Sequence, residues 1–590
     1  MKQRDLKVSS SAIGHLSLEY HHLLAAMDLD VVVLGTGLTE SIVAAALSKA
    51  GFKVGHVDAN PYYGGDDASL SIDELVSWAD ERASGNVQSS AYLDNQRKRF
   101  TDISYTGAVP SQSRQYAVSL CPTIIPSIGP LIESLIASGV SRYGGFKLLE
   151  QVALYESAGV AKPVPGNKED VFKDKQLSLL QKRRLMRFLM FAGGDFEDKP
   201  ELQTLEHTPF PAFLKDKFSL DDEAIRAITY ALAFCVSHGD PTLPALHRIR
   251  RYLRSTGRYG PSPFLVGHYG GIGELAQGFC RTAAVAGATY ILGRPIVSIE
   301  RQESSGVGQK QYTIQLGDVT EAVTCDVLIS SHDYASFLPS SSASAVTPLP
   351  STGHVDCTWA RCVAVLDRPL SFSALRQDHE GSDETSQGES KDENGEPPTP
   401  SKKEVDTAVL VFPPWSVPTG SQSTAVHVLV TGEASMSSPK GKYILNISMP
   451  LVEEGLGQRS AEELLQPFLE ATLTLCQSEP VQEGSPSAVQ PLFTLYYQQH
   501  PYSKSSPGDN PPDSSPLLSE PLDSAHLPEI ADGMTTSAEV TFWRALELLK
   551  AAGCKPQRKS EDGEADSQDA PEIDSLWPPL EFVQEDEEEW

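Results

Sequence analysis

Asp30-Val31-Val32-Val33-Leu34-Gly35-Thr36-Gly37-Leu38-Thr39-Glu40 is the stretch that decides the fold. Its apolar half lacks polar alternation, the mark of a parallel strand buried on both faces, and runs straight into a glycine turn. Ser41 to Ala50 reads as a helix of small residues. Lys53-Val54-Gly55-His56-Val57 reads as a second strand ending at Asp58, 23 positions after Gly35. Strand, glycine turn, helix, strand and acid make a Rossmann βαβ unit.

Gly35, Gly37, Glu40 and Asp58 form a degenerate nucleotide motif, because glutamate stands where the third glycine of the fingerprint belongs. A carboxylate at that helix N-terminus satisfies the dipole itself and repels a diphosphate. The sequence therefore keeps the fold and loses the ligand, and no cofactor is expected. Beyond Asp58, Ala59-Asn60-Pro61-Tyr62-Tyr63-Gly64-Gly65 is punctuated as a tight loop. Two adjacent tyrosines in such a loop cannot both be core, so one faces a partner or packs over the edge of the Rossmann unit.

Outside this unit, the 590 residues carry 48 Lys and Arg against 78 Asp and Glu, a net charge of −30 that excludes a nucleic-acid binder. The acidity is concentrated. Residues 371–410 hold ten acidic and four basic side chains, and residues 555–590 hold thirteen and three. Both stretches are rich in Pro, Ser and Gly, so a disordered acidic insertion at 371–405 and a disordered acidic tail at 555–590 are expected. Eight scattered cysteines contain no CxxC pair, which indicates neither a zinc ribbon nor a disulfide framework. No apolar run reaches the roughly 18 residues of a membrane span. Residues 1–26 lack the apolar core of a signal peptide and read as an N-terminal extension. There is no HExxH, P-loop or GxSxG motif and no metal-spaced cluster, so no catalytic or metal-binding residue is assigned.

The middle of the chain turns helical. Leu177, Leu180, Leu185, Phe188, Leu189 and Ala192 follow helical spacing from Lys175 to Ala192 before Gly193-Gly194 stops the helix. A second helix is expected from about Asp221, with Ser219 and Asp222 spaced as a capping box. These greasy faces suit either a small bundle core or a crevice for an apolar chain. Strand character returns at 290–292, 297–299, 312–314 and 326–329, continues at 408–412 and 426–430, and Ala538 to Ala551 reads as a closing helix.

Three motifs in order carry a family resemblance: GTGLTE at 35–40, DANPYYGG at 58–65, and RYGPSPFLVGHYGGIGELAQGFCR at 258–281. Together they resemble the Rab escort protein and Rab GDP-dissociation inhibitor family. The resemblance implies an α/β fold: a flavoprotein-like Rossmann domain with mixed β-sheets, plus a smaller all-helical domain. On this reading 27–150 is the Rossmann-like part of domain I, 151–245 the helical domain II, and 246–370 and 406–554 the continuation of domain I.

The Gly278-Phe279-Cys280-Arg281 ending, the insertion and the tail are more similar to the escort branch, which presents GDP-bound Rab GTPases to the Rab geranylgeranyltransferase α/β heterodimer. By position, the family's Rab-binding platform falls on Tyr63, Glu274, Gln277 and Arg281. The helical domain is implied to dock the transferase or hold the geranylgeranyl lipid, with Phe188 and Phe191 as aromatic anchors. Prenyl transfer needs a zinc-activated thiolate, which would lie in a partner subunit. A non-enzymatic cytosolic carrier with transient membrane contact is the expectation, and the acidic tail would hold it off anionic membranes. The alternatives are a Rab GDP-dissociation inhibitor, an FAD-dependent oxidoreductase for which Asp532-Gly533 is a further cue, and a structural scaffold.

Overall fold

The computed structural model describes residues 27–83, 90–165, 178–302, 310–339, 358–373, 402–453, 455–476, 489–502, 516–519, 526–557 and 573–578. The expected extension at 1–26, the interior of the insertion at 374–401, and residues 558–572 and 579–590 of the tail lie outside them.

Strand β1 (Val31–Leu34), helix α1 (Leu38–Lys49) and strand β2 (Val54–Asp58) form the expected unit. Every residue of β1 and β2 is buried, which is why the run carries no alternation. Gly35 turns the chain at φ +96°, and a Cβ there would meet Ser331 Oγ at 2.7 Å, so only glycine fits. The two strands sit inside a five-stranded parallel sheet in the order Thr289–Leu292, β2, β1, Val327–Ser330 and Leu517–Leu518. Helices α2 (Pro130–Ser138), α3 (Ile272–Val285) and α4 (Ile530–Ala551) share one core with α1, built on Val43, Leu131, Phe279 and Phe542. Asp532, in the first turn of α4, accepts from Leu131 N at 3.1 Å and pairs with Arg251 at 2.9 Å. The Asp532-Gly533 cue is thus a helix cap for α2.

An eight-stranded sheet forms the second layer, in the order Val160–Pro163, Gln151–Ser157, Ala408–Phe412, Val426–Thr431, Tyr443–Leu451, Thr358–Leu366, Phe493–Gln499 and Phe100–Gly107. Its neighbours are antiparallel except where Ala408–Phe412 runs parallel to Gln151–Ser157. The amphipathic helix Ala461–Leu473 covers one face through Leu465 and Phe468. Residues 151–163 therefore belong to this sheet, and the helical module begins later than the expected 151. So short a hairpin carries little signal of its own, and its place in the sheet is set by pairing with Ala408–Phe412 about 250 residues further along the chain.

Two boundary expectations are corrected. The insertion does not begin and end in disorder: Leu370–Ser373 pairs antiparallel with Lys402–Val405, and Leu370, Phe372 and Val405 are buried. The tail does not lie wholly apart from the body either, since Ile573–Pro578 is packed on it with Leu576 and Trp577 each only 9% exposed. Acidic composition hid both, because a few apolar residues are enough to dock a segment.

In the helical module, Ser178 caps Leu179–Gly193 with Gln181 in a capping box. The second helix is capped by Asp221, which accepts from Ala224 N at 2.9 Å, while Ser219 instead ends the helix Phe210–Phe218 in a left-handed conformation. That correction follows from a short α-segment, Asp222–Arg226, which passes directly into a π-turn over Ala227–Leu232. Helix Thr242–Ser255 completes the module. No helix among the described residues is long and apolar enough to cross a membrane.

Candidate functional site

The glycine turn is closed by the protein's own carboxylates. Thr36 N and Oγ1 donate to Asp58 Oδ2 at 2.9 and 2.6 Å. Asn60 N and Nδ2 and Tyr334 OH donate to Asp58 Oδ1. The acid that would hold a ribose hydroxyl in a dinucleotide enzyme is turned back onto the loop. At the N-terminus of α1, Leu38 N donates to Asp67 Oδ2 at 2.9 Å, so a carboxylate occupies the seat of a pyrophosphate. Glu40 is buried beside it and accepts from Ser519 Oγ.

The remaining cavity of about 90 Å³ is lined by Glu40, Asp58, Asp66, Asp67 and Asp333, with Arg99 as the one cation. Burial raises the Glu40 and Asp58 carboxyls and pushes Asp67 up to about 7 and Asp333 up to about 8. Arg99 pairs with Asp66 at 2.6 Å and stacks on Tyr502 at 3.6 Å. A flavin or nicotinamide dinucleotide does not fit this set. Its diphosphate would meet a helix terminus already capped by Asp67 and a lining of five acidic side chains with a single guanidinium among them.

The exposed chemistry lies one layer out, on α3. That helix buries Ile272, Leu275, Ala276, Phe279, Cys280 and Ala283 and turns Gln277 and Arg281 to solvent, with Glu274 half-buried on the same face. Glu274, Gln277 and Arg281 fall within about 60° of one another on the helical wheel, as spacings of three, four and seven require. Burial raises the Glu274 carboxyl. The Arg281 guanidinium lies 4.7 Å over the Tyr143 ring, and Tyr143 and Tyr269 are both exposed.

The first turn of α3 presses on the segment after the tyrosine loop: a Cβ on Gly273 would meet Ser69 N at 2.3 Å. Tyr63 itself lies near enough to Cys280 of α3 to interact with it electrostatically. The pair of tyrosines splits. Tyr62 is partly buried and packs against the cluster that holds Trp78 and Phe100, whereas Tyr63, also partly buried, lies edge-on to Tyr290 with ring centroids 5.9 Å apart. A surface with tyrosines, a guanidinium, an amide and a carboxylate can read a polar protein face through stacking and charge-assisted hydrogen bonds. Tyr143 was missed in the sequence, since nothing in Gly139-Val140-Ser141-Arg142-Tyr143 signals that its ring meets Arg281.

Phe188 is not a surface anchor, whereas Phe191 is partly buried and packs against the edge of the helical module's core. Phe188 is fully buried against Phe210 and Phe218, and Phe191 stacks within the same cluster on Phe196, Phe213 and Phe218. Helical spacing showed that the helix has an apolar face, and that face is the module's own core. What the helix presents outward is Leu179, Leu180 and Met190, exposed 88%, 57% and 69%, interleaved with exposed Arg183 and Arg187.

The family described as GDP dissociation inhibitor matches residues 26–370. The Rab proteins geranylgeranyltransferase component A of Candida albicans is 39% identical over 267 residues, 45% of this chain and 40% of that protein. Its counterpart of the same description in Saccharomyces cerevisiae is 38% identical over 271 residues, 46% of this chain and 44% of that protein. The chain thus aligns with less than half the length of these two relatives. Among solved structures, the Rab GDI of Plasmodium falciparum superposes with a TM-score of 0.56 at 19% identity, over 88% of this chain and 98% of that one, a likeness of fold.

Proposed function

The chain belongs to the GDP dissociation inhibitor family, and from that premise we propose that it is a Rab escort protein. In this role it is a non-catalytic subunit that binds GDP-bound Rab GTPases, presents them to a geranylgeranyltransferase heterodimer and carries the prenylated product. The observation that supports the reading is the outer face of α3, where Glu274, Gln277 and Arg281 stand together. The relatives named as geranylgeranyltransferase component A support the escort role over recycling alone.

Binding would use the α3 face on the folded GTPase and leave its C-terminal cysteines free for the transferase. The transferase would dock on the Leu179, Leu180, Arg183, Arg187 and Met190 stripe of the helical module, where apolar anchors and cations alternate. A carrier is needed on energetic grounds. Burying about 20 carbons at roughly 0.8 kcal/mol each is worth on the order of 15 kcal/mol, so a prenylated GTPase does not cross water bare. The chain would work in the cytosol and meet membranes only to release its load.

Reconstitution tests this directly. Rab geranylgeranylation by purified transferase subunits should require the chain. Equal prenylation without it, or binding to prenylated Rab alone, replaces the escort reading with that of a recycling inhibitor.

A further inference from the structure

Ile573–Pro578 is a hexapeptide far from its neighbours in sequence, lying in the seam between α2 and α3. The Trp577 ring stacks on Phe279 of α3 with centroids 5.7 Å apart and planes at 20°. Its indole N–H donates to Ser134 Oγ of α2 at 2.9 Å. Leu576 and Trp577 join the core that contains Leu131, Leu135, Val140 and Ala283, and Ile573 packs at its rim. Ser575 Oγ donates to the Trp577 carbonyl at 3.0 Å and folds the peptide into a compact turn, while Asp574 and Ser575 stay exposed. Both elements bridged by Trp577 are bridged again by a second contact. Arg281 of α3 lies over Tyr143, which follows α2 through the Val140–Arg142 turn.

We propose that residues 573–578 are a tethered peptide ligand of a site in the α2–α3 seam, a clasp whose docking holds the Arg281–Tyr143 pair in its binding position. The site takes a short segment in which a tryptophan donates its indole N–H and follows a leucine, with an isoleucine three residues before the leucine. Because residues 573–578 belong to the same chain as their site, docking is intramolecular, and a segment that binds weakly as a free peptide can still be held in place. Release of the clasp loosens α2 against α3 and slackens the face that meets the GTPase. This last link rests on the reading of α3 as the Rab-binding surface.

Hydrogen exchange on the full chain tests the clasp without any GTPase. Trp577→Ala should accelerate exchange at least 10-fold in 130–143 and 272–285 and leave the eight-stranded sheet unchanged. A synthetic peptide of residues 571–580 at 1 mM should restore protection, and the same peptide carrying Trp577→Ala should not. Ser134→Ala, which removes only the indole's acceptor, should give a smaller acceleration in the same helices. Unchanged exchange in both variants, or no rescue by peptide, overturns the clasp. Titration with GDP-loaded Rab then tests the coupling: Trp577→Ala should weaken binding about 10-fold, and added peptide should reverse the loss. Unchanged Rab affinity beside accelerated exchange overturns the coupling. A wild-type chain that binds no Rab refutes the proposed function instead, with the exchange result still deciding the clasp.

Discussion

Replacing Asp67 by asparagine isolates the carboxylate that plugs the old pyrophosphate seat. In the native protein this carboxyl titrates near 7, held up by burial and by Glu40 and Asp66 beside it, against an ordinary 3.8. The folded state therefore keeps a proton that the unfolded chain has already lost between about pH 4 and pH 7. Stability falls as pH rises through that window and levels off above it. A shift of about three units corresponds to an upper limit of roughly 4 kcal/mol. Asp67 retains some exposure and has Arg99 nearby, so about 1–3 kcal/mol is the working figure.

Asparagine keeps an oxygen to accept from Leu38 N and carries no charge. Asp67→Asn should match the wild type near pH 5 and exceed it by that amount at pH 8. Urea unfolding at pH 5, 6.5 and 8, followed by far-ultraviolet circular dichroism, reads the difference. Parallel stability profiles for the two proteins, or a wild type that gains on the variant as pH rises, refute the reasoning.

Arg281→Ala and Tyr63→Ala should each weaken GDP-Rab binding by a hot-spot amount, roughly 1–3 kcal/mol, with the melting temperature nearly unmoved because both side chains reach solvent. Fluorescence titration checks the affinity, and two unchanged values would displace the binding face from α3. Phe188→Ala should destabilise the helical module by about 3–5 kcal/mol, whereas Met190→Glu should leave stability within about 0.5 kcal/mol and reduce transferase binding in a pull-down with purified subunits. Removing residues 579–590 deletes six acidic side chains while sparing the clasp, and should increase sedimentation with anionic vesicles at low salt. No increase would retire the idea that the tail repels membranes.

The βαβ unit was legible because its determinants are local: four apolar residues, two glycines and an acid fix strand, turn and strand within about thirty positions. The contacts that remake its chemistry are not local. Asp67 caps a helix that begins 29 residues before it, and Ser519 reaches Glu40 from 479 residues away. No periodicity reports such a closure. The α3 candidates were legible only as a motif resemblance. Their wheel positions follow from spacing, while Tyr143 and Tyr63 reach them through tertiary packing. Phe188 shows the limit of an apolar stripe, which reveals that a helix has a hidden face but not what hides it. Trp577 shows the limit of composition, since thirteen acids in the tail outweighed two buried residues that matter.

The self-plugged turn also bears on how this fold can change over generations. Recovering a dinucleotide would require freeing Leu38 N from Asp67, removing Glu40, and releasing Asp58 from Thr36, Asn60 and Tyr334. Losing Asp67 would take the acceptor from Leu38 N and losing Asp58 would take it from Thr36 and Asn60, while the other acidic side chains would still line the turn. With this turn closed by the protein's own side chains, the surface open to a partner is that of the outer helices.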